Sequence, residues 1–216
     1  MKTILFQGDS ITDCGRNREW FESVGDGYPV LVKAQLGYEY PEEYAFQNRG
    51  ISGNRIVDVY ARIKEDIINL KPDYMSILVG VNDVLHELGG SCTGVDAEKY
   101  EKIYGMLIEE VKAALPELQI LILEPFCLRA VATENREEEP DRWNVLRTEV
   151  EKRAEKAKAV AEKYNLTFVP LQEKFDEASK NTENSYWLRD GVHPTAMGHE
   201  LIKREWMKAF HSLQAK

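Results

Sequence analysis

The sequence predicts an α/β fold, a parallel five-stranded sheet covered by helices on both faces. Two observations carry that expectation. Five short runs are apolar almost without interruption, the mark of strands buried on both sides, and they alternate with segments whose apolar residues recur at helical spacing. No internal repeat, low-complexity tract or linker-like stretch divides the 216 residues, and 43% of them are hydrophobic, so residues 1–216 are expected to form one domain. A chain of this length buries roughly 70–75% of the surface its unfolded form exposes and needs no staple.

The first strand, Thr3–Gln7, ends at once in GDS: a glycine, a carboxylate and a hydroxyl, each favoured in turns and N-caps. An irregular stretch from Asp13 to Tyr28 follows, longer than a simple connection requires, and it contains Trp20 and Phe21. Strand two is Tyr44–Gln47. Ile56, Val59, Tyr60, Ile63, Ile67 and Leu70 then make one apolar helical face, stopped by Pro72. Strand three, Tyr74–Val79, leads to a second face, Tyr100, Ile103, Tyr104, Leu107, Ile108 and Val111, stopped by Pro116. After strand four, Gln119–Leu123, comes the other long irregular stretch, Pro125 to Asp141. Leu146, Val150, Ala154, Ala157, Ala161 and Tyr164 line a third helix whose other side, EKRAEKAK, is a solvated face. Strand five is Leu166–Val169. The last helix is expected to begin at Pro194, whose fixed φ suits a first helical position, with Leu201, Ile202, Trp206, Phe210 and Leu213 as its buried stripe.

In an open parallel sheet, ligands bind beyond the carboxyl ends of the strands, near the point where strand order reverses. That rule gathers four polar clusters: GDS after strand one, NRGISGNR after strand two, GVND after strand three and DGVHPTAMGH before the last helix. With the order 2-1-3-4-5, Ser10 lies at the centre, flanked by Gly53 and Asn82. Asp190 and His193 are three residues apart, close enough to pair within a tight turn and leave Nε2 facing Ser10. A serine hydroxyl attacks only when a base takes its proton. The N–H groups of Ser10 and Gly53 and the amide of Asn82 are candidate donors to a developing oxyanion, and a glycine at 53 leaves no Cβ in the way.

The remaining polar residues receive plainer readings. Asp9 and Asp83 are expected to hold loops through backbone N–H groups, and Asn48 and Asn54 to form turns. His86, one helical turn beyond Asn82, is either within reach of the pocket or exposed; His199 and His211, within the last helix, are given no role, and Cys14, without a basic neighbour to activate it, belongs to a pocket wall or the core. Trp20, Phe21 and Trp187 are candidates either for a flat substrate platform or for core packing. Arg189 either hydrogen-bonds a sugar or faces solvent.

A net charge of −9 opposes nucleic acid and anionic membrane surfaces, which a negative field repels before contact. The apolar run behind Lys2 is far shorter than the core of a secretion signal, and nothing approaches the ~20 apolar residues of a membrane span. Cys14, Cys92 and Cys127 are odd in number and lack metal-ligand spacing, so a reducing, cytoplasmic location is expected.

The four clusters resemble the four blocks of the SGNH (GDSL-type) hydrolases, from Gly8 to Pro194. That resemblance implies a flavodoxin-like three-layer α/β/α fold and serine ester hydrolysis with no metal or organic cofactor. It implies Ser10 as nucleophile, Gly53 and Asn82 as oxyanion donors, and Asp190 and His193 as the acid and base. Ile11 stands where the GDSL pattern has leucine, a change within apolar types. GDSITDCGR, NRGISGN and GVNDV are most similar to intracellular acetylxylan esterases and related carbohydrate deacetylases. The implied substrate is a small acylated molecule, foremost an acetylated carbohydrate, and a homo-oligomer is compatible with the likeness. A thioesterase or lysophospholipase on the same scaffold, or a non-catalytic flavodoxin-like binding module, are the alternatives.

Overall fold

The computed structural model describes residues 1–215. In chain order the elements are β1 (Lys2–Gly8), α1 (Ser10–Asp13), α2 (Tyr28–Glu39), β2 (Tyr44–Asn48), α3 (Ile56–Ala61), α4 (Ile63–Asp66), β3 (Tyr74–Leu78) and α5 (Val81–His86). They continue with α6 (Ala97–Ala114), β4 (Gln119–Leu123), α7 (Arg142–Lys163), β5 (Thr167–Val169), α8 (Gln172–Ala178), α9 (Asn184–Trp187) and α10 (Ala196–Gln214). The sheet runs β2-β1-β3-β4-β5 with every neighbouring pair parallel. Gly8 lies opposite Leu78, and Phe6 opposite Asn48, so the segments leaving β1, β2 and β3 emerge together at one edge.

Alternation along the strands divides the core in two. Ile4, Phe6, Leu121 and Leu123 point to the side covered by α2, α8 and α10, where they meet Val32, Phe175, Trp206 and Phe210. Leu5, Met75, Ile77, Ile120 and Ile122 point to the side of α3, α4, α6 and α7. Burial of each such side chain contributes roughly 1.5–3 kcal/mol, which is why the apolar runs were nearly continuous. Trp206 stacks on Phe210 with ring centroids 4.9 Å apart, inside the core.

Two expectations from the sequence need correction. The apolar face from Ile56 to Leu70 is not one helix. It breaks at Arg62 (φ −110°, ψ 18°), whose guanidinium turns in to Asn54 Oδ1 at 2.9 Å, Arg49 O at 2.8 Å and Gln7 Oε1 at 2.8 Å, and breaks again at Ile67. These bonds satisfy backbone and side-chain acceptors at the sheet edge that a regular helix would leave unmet. Pro194 likewise precedes α10 instead of starting it. Leu188 and Pro194 bridge in antiparallel fashion, Thr195 N–H donates to Trp187 O at 2.9 Å, and the Thr195 hydroxyl caps the helix at Gly198 N–H. The chain is committed to a closed turn until residue 195.

Helix α2 fills the interval between the first irregular stretch and β2, for which the sequence pattern predicts no element. Pro29 sits in the first turn of the helix, where a missing N–H costs nothing, and Tyr28, Val32 and Leu36 are buried at a spacing of four.

Candidate active site

The site is assembled where β1, β2 and β3 end. Gly8 closes β1 against its neighbour: a Cβ there would stand 2.3 Å from Leu78 O and 2.5 Å from Thr12 Oγ1. The chain turns immediately into α1, capped by Asp9, whose Oδ1 accepts the Ile11 N–H at 3.0 Å. Ser10 is the first residue of that helix, so its own N–H has no intrahelical acceptor.

From the end of β2, the loop doubles back through a turn closed by Asn54 N–H to Ile51 O at 3.1 Å. Gly53 holds that turn at φ +81°, a conformation L side chains rarely adopt, and an added Cβ would point into open space. Asn48 anchors the loop's base, donating from Nδ2 to Thr12 O and Val24 O and accepting the Gly50 N–H. After β3, Asn82 lies in the first turn of α5. One proton of its amide goes to Asn54 O at 3.2 Å, tying the third cluster to the second and leaving the other proton free.

The fourth cluster is the turn that delays α10. Asp190 Oδ1 accepts the N–H groups of Val192 at 2.9 Å and His193 at 2.8 Å, while Oδ2 lies 2.7 Å from His193 Nδ1. A carboxylate there selects the tautomer with the proton on Nδ1. Nε2 is then an acceptor, and Ser10 Oγ donates to it at 2.9 Å. Partial burial works to raise the Asp190 pKa, but the hydrogen bonds from His193 and Val192 outweigh it and hold the carboxyl well below the usual carboxylate range.

Ser10, Gly53, Asn82 and His193 share one cleft of about 540 Å³ with Cys14, Ser52, Arg189 and His199. Burial, reinforced by Asp26, pushes the Cys14 thiol up, so it stands in the wall as a neutral group. Asp9 and Asp83 serve backbone N–H groups: Asp83 accepts from Ile56 through both oxygens at 3.1 and 3.2 Å. Burial raises them to about 7 and about 8 respectively.

Two residues to which the sequence gives no role stand in or beside this cleft. Asp13, one turn after Ser10, accepts the backbone N–H of Ser52 at 2.9 Å and its hydroxyl at 3.0 Å, and also pairs with Arg16 and Arg18. Burial opposes its charge, but these donors lower its pKa and pin the Gly53 turn beside Ser10. The only hint in the sequence is an acid followed by arginines at spacings of three and five. His199 is buried, with Nδ1 accepting the Tyr28 N–H at 3.1 Å. Burial first, then the nearby Arg189 and His193, lower its pKa to about 4 and keep its ring neutral.

The aromatic candidates fare differently from Arg189, which does line the cleft. Trp187 faces away from it. Its indole N–H donates to Ala178 O at 3.1 Å and Thr182 Oγ1 at 2.8 Å, and its ring lines a separate groove between α8 and α10. Trp20 and Phe21 are 60% and 54% exposed on the loop after α1 and do not line the cleft; the Arg49 guanidinium lies 4.5 Å from the Phe21 ring centre. Two acceptors for the Trp187 indole and the Arg49 guanidinium against Phe21 thus replace the platform that residue type alone suggested. Among the described residues, no group of three or more His, Cys, Asp and Glu is placed to hold a metal ion, and no helix is long and apolar enough to cross a membrane.

The model of the GDSL-like lipase/acylhydrolase family matches residues 6–201. The chain belongs to that family. It is 34% identical to an acetylxylan esterase of Geobacillus stearothermophilus over 213 residues, 95% of this chain and 92% of that one. Among solved structures, a candidate GDSL-like lipase from Parabacteroides merdae superposes with a TM-score of 0.88 at 37% identity, covering 96% of this chain and 94% of that one. The acetylxylan esterase Axe2 of Geobacillus stearothermophilus gives 0.83 at 34% identity, with coverage of 96% and 93%. As a GDSL-family member with these relatives, the protein is a carboxylic ester hydrolase on the three-layer α/β/α scaffold, with the expected strand order 2-1-3-4-5 that places Ser10 at the centre.

Proposed function

We propose that this esterase removes small acyl groups, foremost acetyl, from carbohydrates through an acyl-enzyme on Ser10. One observation carries the reading: the chain of contacts from Ser10 Oγ to His193 Nε2 at 2.9 Å and from His193 Nδ1 to Asp190 Oδ2 at 2.7 Å, open to a cleft. Ser10 attacks the ester carbonyl as its proton passes to Nε2, and the ionised Asp190 stabilises the resulting imidazolium. The developing oxyanion is met by the N–H groups of Ser10 and Gly53 and the free amide proton of Asn82. Collapse expels the sugar alcohol, which takes the proton back from His193. Water then attacks the acetyl ester on Ser10 by the same route in reverse, restoring the hydroxyl and releasing acetate.

Small acyl groups suit a cleft whose wall around Ser10 is built from small and polar residues such as Gly15, Cys14 and Ser52. The likeness to acetylxylan esterases supports a carbohydrate as the alcohol. All three cysteines are free thiols, which fits a reducing, cytoplasmic compartment.

Ser10→Ala tests the assignment. Turnover of p-nitrophenyl acetate should drop to background with an unchanged melting temperature; undiminished turnover would refute it. Across esters from acetyl to palmitoyl, kcat/KM should fall with chain length, and a rise would assign the cleft to lipid acyl chains instead.

A further inference from the structure

Almost every arginine of this protein is matched by a carboxylate. Of the twelve, ten have a carboxylate oxygen within 4.0 Å. The two that do not, among the described residues, are Arg129 and Arg189, and both line one groove of about 430 Å³ together with Asn184 and Ser185. Arg189 also lines the cleft that holds Ser10 and His193, so groove and cleft share a wall.

Backbone hydrogen bonds fix both arginines to the turn that carries Asp190. The Arg189 N–H donates to His193 O at 3.0 Å. Leu128 N–H donates to Gly191 O at 2.9 Å, and Ala132 N–H to Asp190 O at 3.0 Å, while Asn184 Nδ2 holds Arg129 O at 2.9 Å. A group bound by these guanidiniums would therefore sit at a set offset from the scissile ester. In a chain of net charge −9, these two guanidiniums stand beside the cleft with no carboxylate oxygen within 4.0 Å.

We propose that the groove is a subsite for a carboxylate on the leaving alcohol, such as a uronic-acid residue of an acetylated sugar chain. This deepens the esterase reading and rests on it for the position of the ester. An acetyl group cannot reach into a second cavity, so the occupant belongs to the alcohol. Glu134 and Glu183 also line the groove, and neither comes within 4.0 Å of Arg129 or Arg189. Their negative charge limits the occupant to a single one, which favours a carboxylate over a phosphate dianion. A carboxylate also accepts the two-pronged hydrogen bonds of a guanidinium.

The test uses Ser10→Ala, which retains the groove without turnover. It is titrated calorimetrically with a short xylo-oligosaccharide, with the same oligosaccharide bearing one uronic-acid branch, and with inorganic phosphate. The acidic sugar should bind about tenfold more tightly than the neutral one, the worth of one charge-assisted hydrogen bond, and the ratio should shrink as salt is raised. Adding Arg129→Gln should bring the ratio close to one, and Arg129→Lys should keep part of it. Equal affinities, binding of neither sugar, an unchanged ratio in Arg129→Gln, or tighter binding of phosphate would each overturn the proposal. Turnover of p-nitrophenyl acetate by the unsubstituted enzyme judges the esterase reading separately, so either can fail alone.

Discussion

Asp190→Asn isolates what the carboxylate contributes. In the native turn its two oxygens have different duties, Oδ1 accepting two backbone N–H groups and Oδ2 facing His193 Nδ1. Asparagine has one oxygen and cannot serve both. Turning the oxygen to the ring would set the NH₂ group against the N–H groups of Val192 and His193, losing two hydrogen bonds of about 1 kcal/mol each and leaving donors opposed. The amide therefore keeps its oxygen on the backbone and presents NH₂ to Nδ1, which becomes an acceptor. That moves the ring proton to Nε2, where it faces Ser10 Oγ and cannot take the hydroxyl proton. The same wrong-tautomer effect in a serine protease lowers kcat about 10⁴-fold, or roughly 5 kcal/mol of barrier, and the geometry here predicts a loss of that order. Initial rates on p-nitrophenyl acetate measure it, with melting temperature as the check on folding. A loss under about tenfold in a folded variant would refute this role for Asp190.

Three further outcomes follow from the same geometry. Asn82→Ala should lower kcat about 10²–10³-fold with KM little changed; a smaller kcat effect than tenfold would take the amide out of the oxyanion site. Gly53→Ala places a Cβ at φ +81° and into the open cleft, so it should cost about 1 kcal/mol of stability, a melting shift of roughly 2–4 °C, and a much larger share of activity. Unaltered turnover would show that nothing approaches this backbone. Asp83, raised to about 8 by burial, binds its proton more tightly folded than unfolded, so its contribution to stability is full below about pH 4 and is lost as pH rises towards 8. Asp83→Asn keeps an acceptor for Ile56 N–H but cannot ionise. Urea midpoints of the unsubstituted protein should therefore fall relative to the variant between about pH 5 and 8, by up to about 1.4 kcal/mol per pH unit, and parallel curves would show that this group does not titrate in that window.

Much of the fold was legible because it depends on short-range pattern. Continuous apolar runs identified all five strands, and the stripes of α6, α7 and α10 identified those helices, since each must bury one face. Local pattern failed where a tertiary contact intervened. Nothing near Arg62 in sequence indicates that its guanidinium will turn in to Gln7 and break a helix. Pro194 was assigned to α10 from a local preference that the Leu188–Pro194 bridge overrides.

For the site, the sequence by itself determined which chemical groups are available and, through the rule for parallel sheets, which strand ends bring them together. It also supplied the Asp190–His193 pair, because three residues in a tight turn fix their own geometry. The tertiary structure alone decided which neighbours share that space. It sends the Trp187 indole to Ala178 and Thr182, brings the Asp13 carboxylate to the Gly53 turn, and leaves Arg129 and Arg189 without carboxylates beside one groove. Those outcomes depend on contacts between residues many positions apart, whose directions are set by packing and hydrogen bonding and not by residue type.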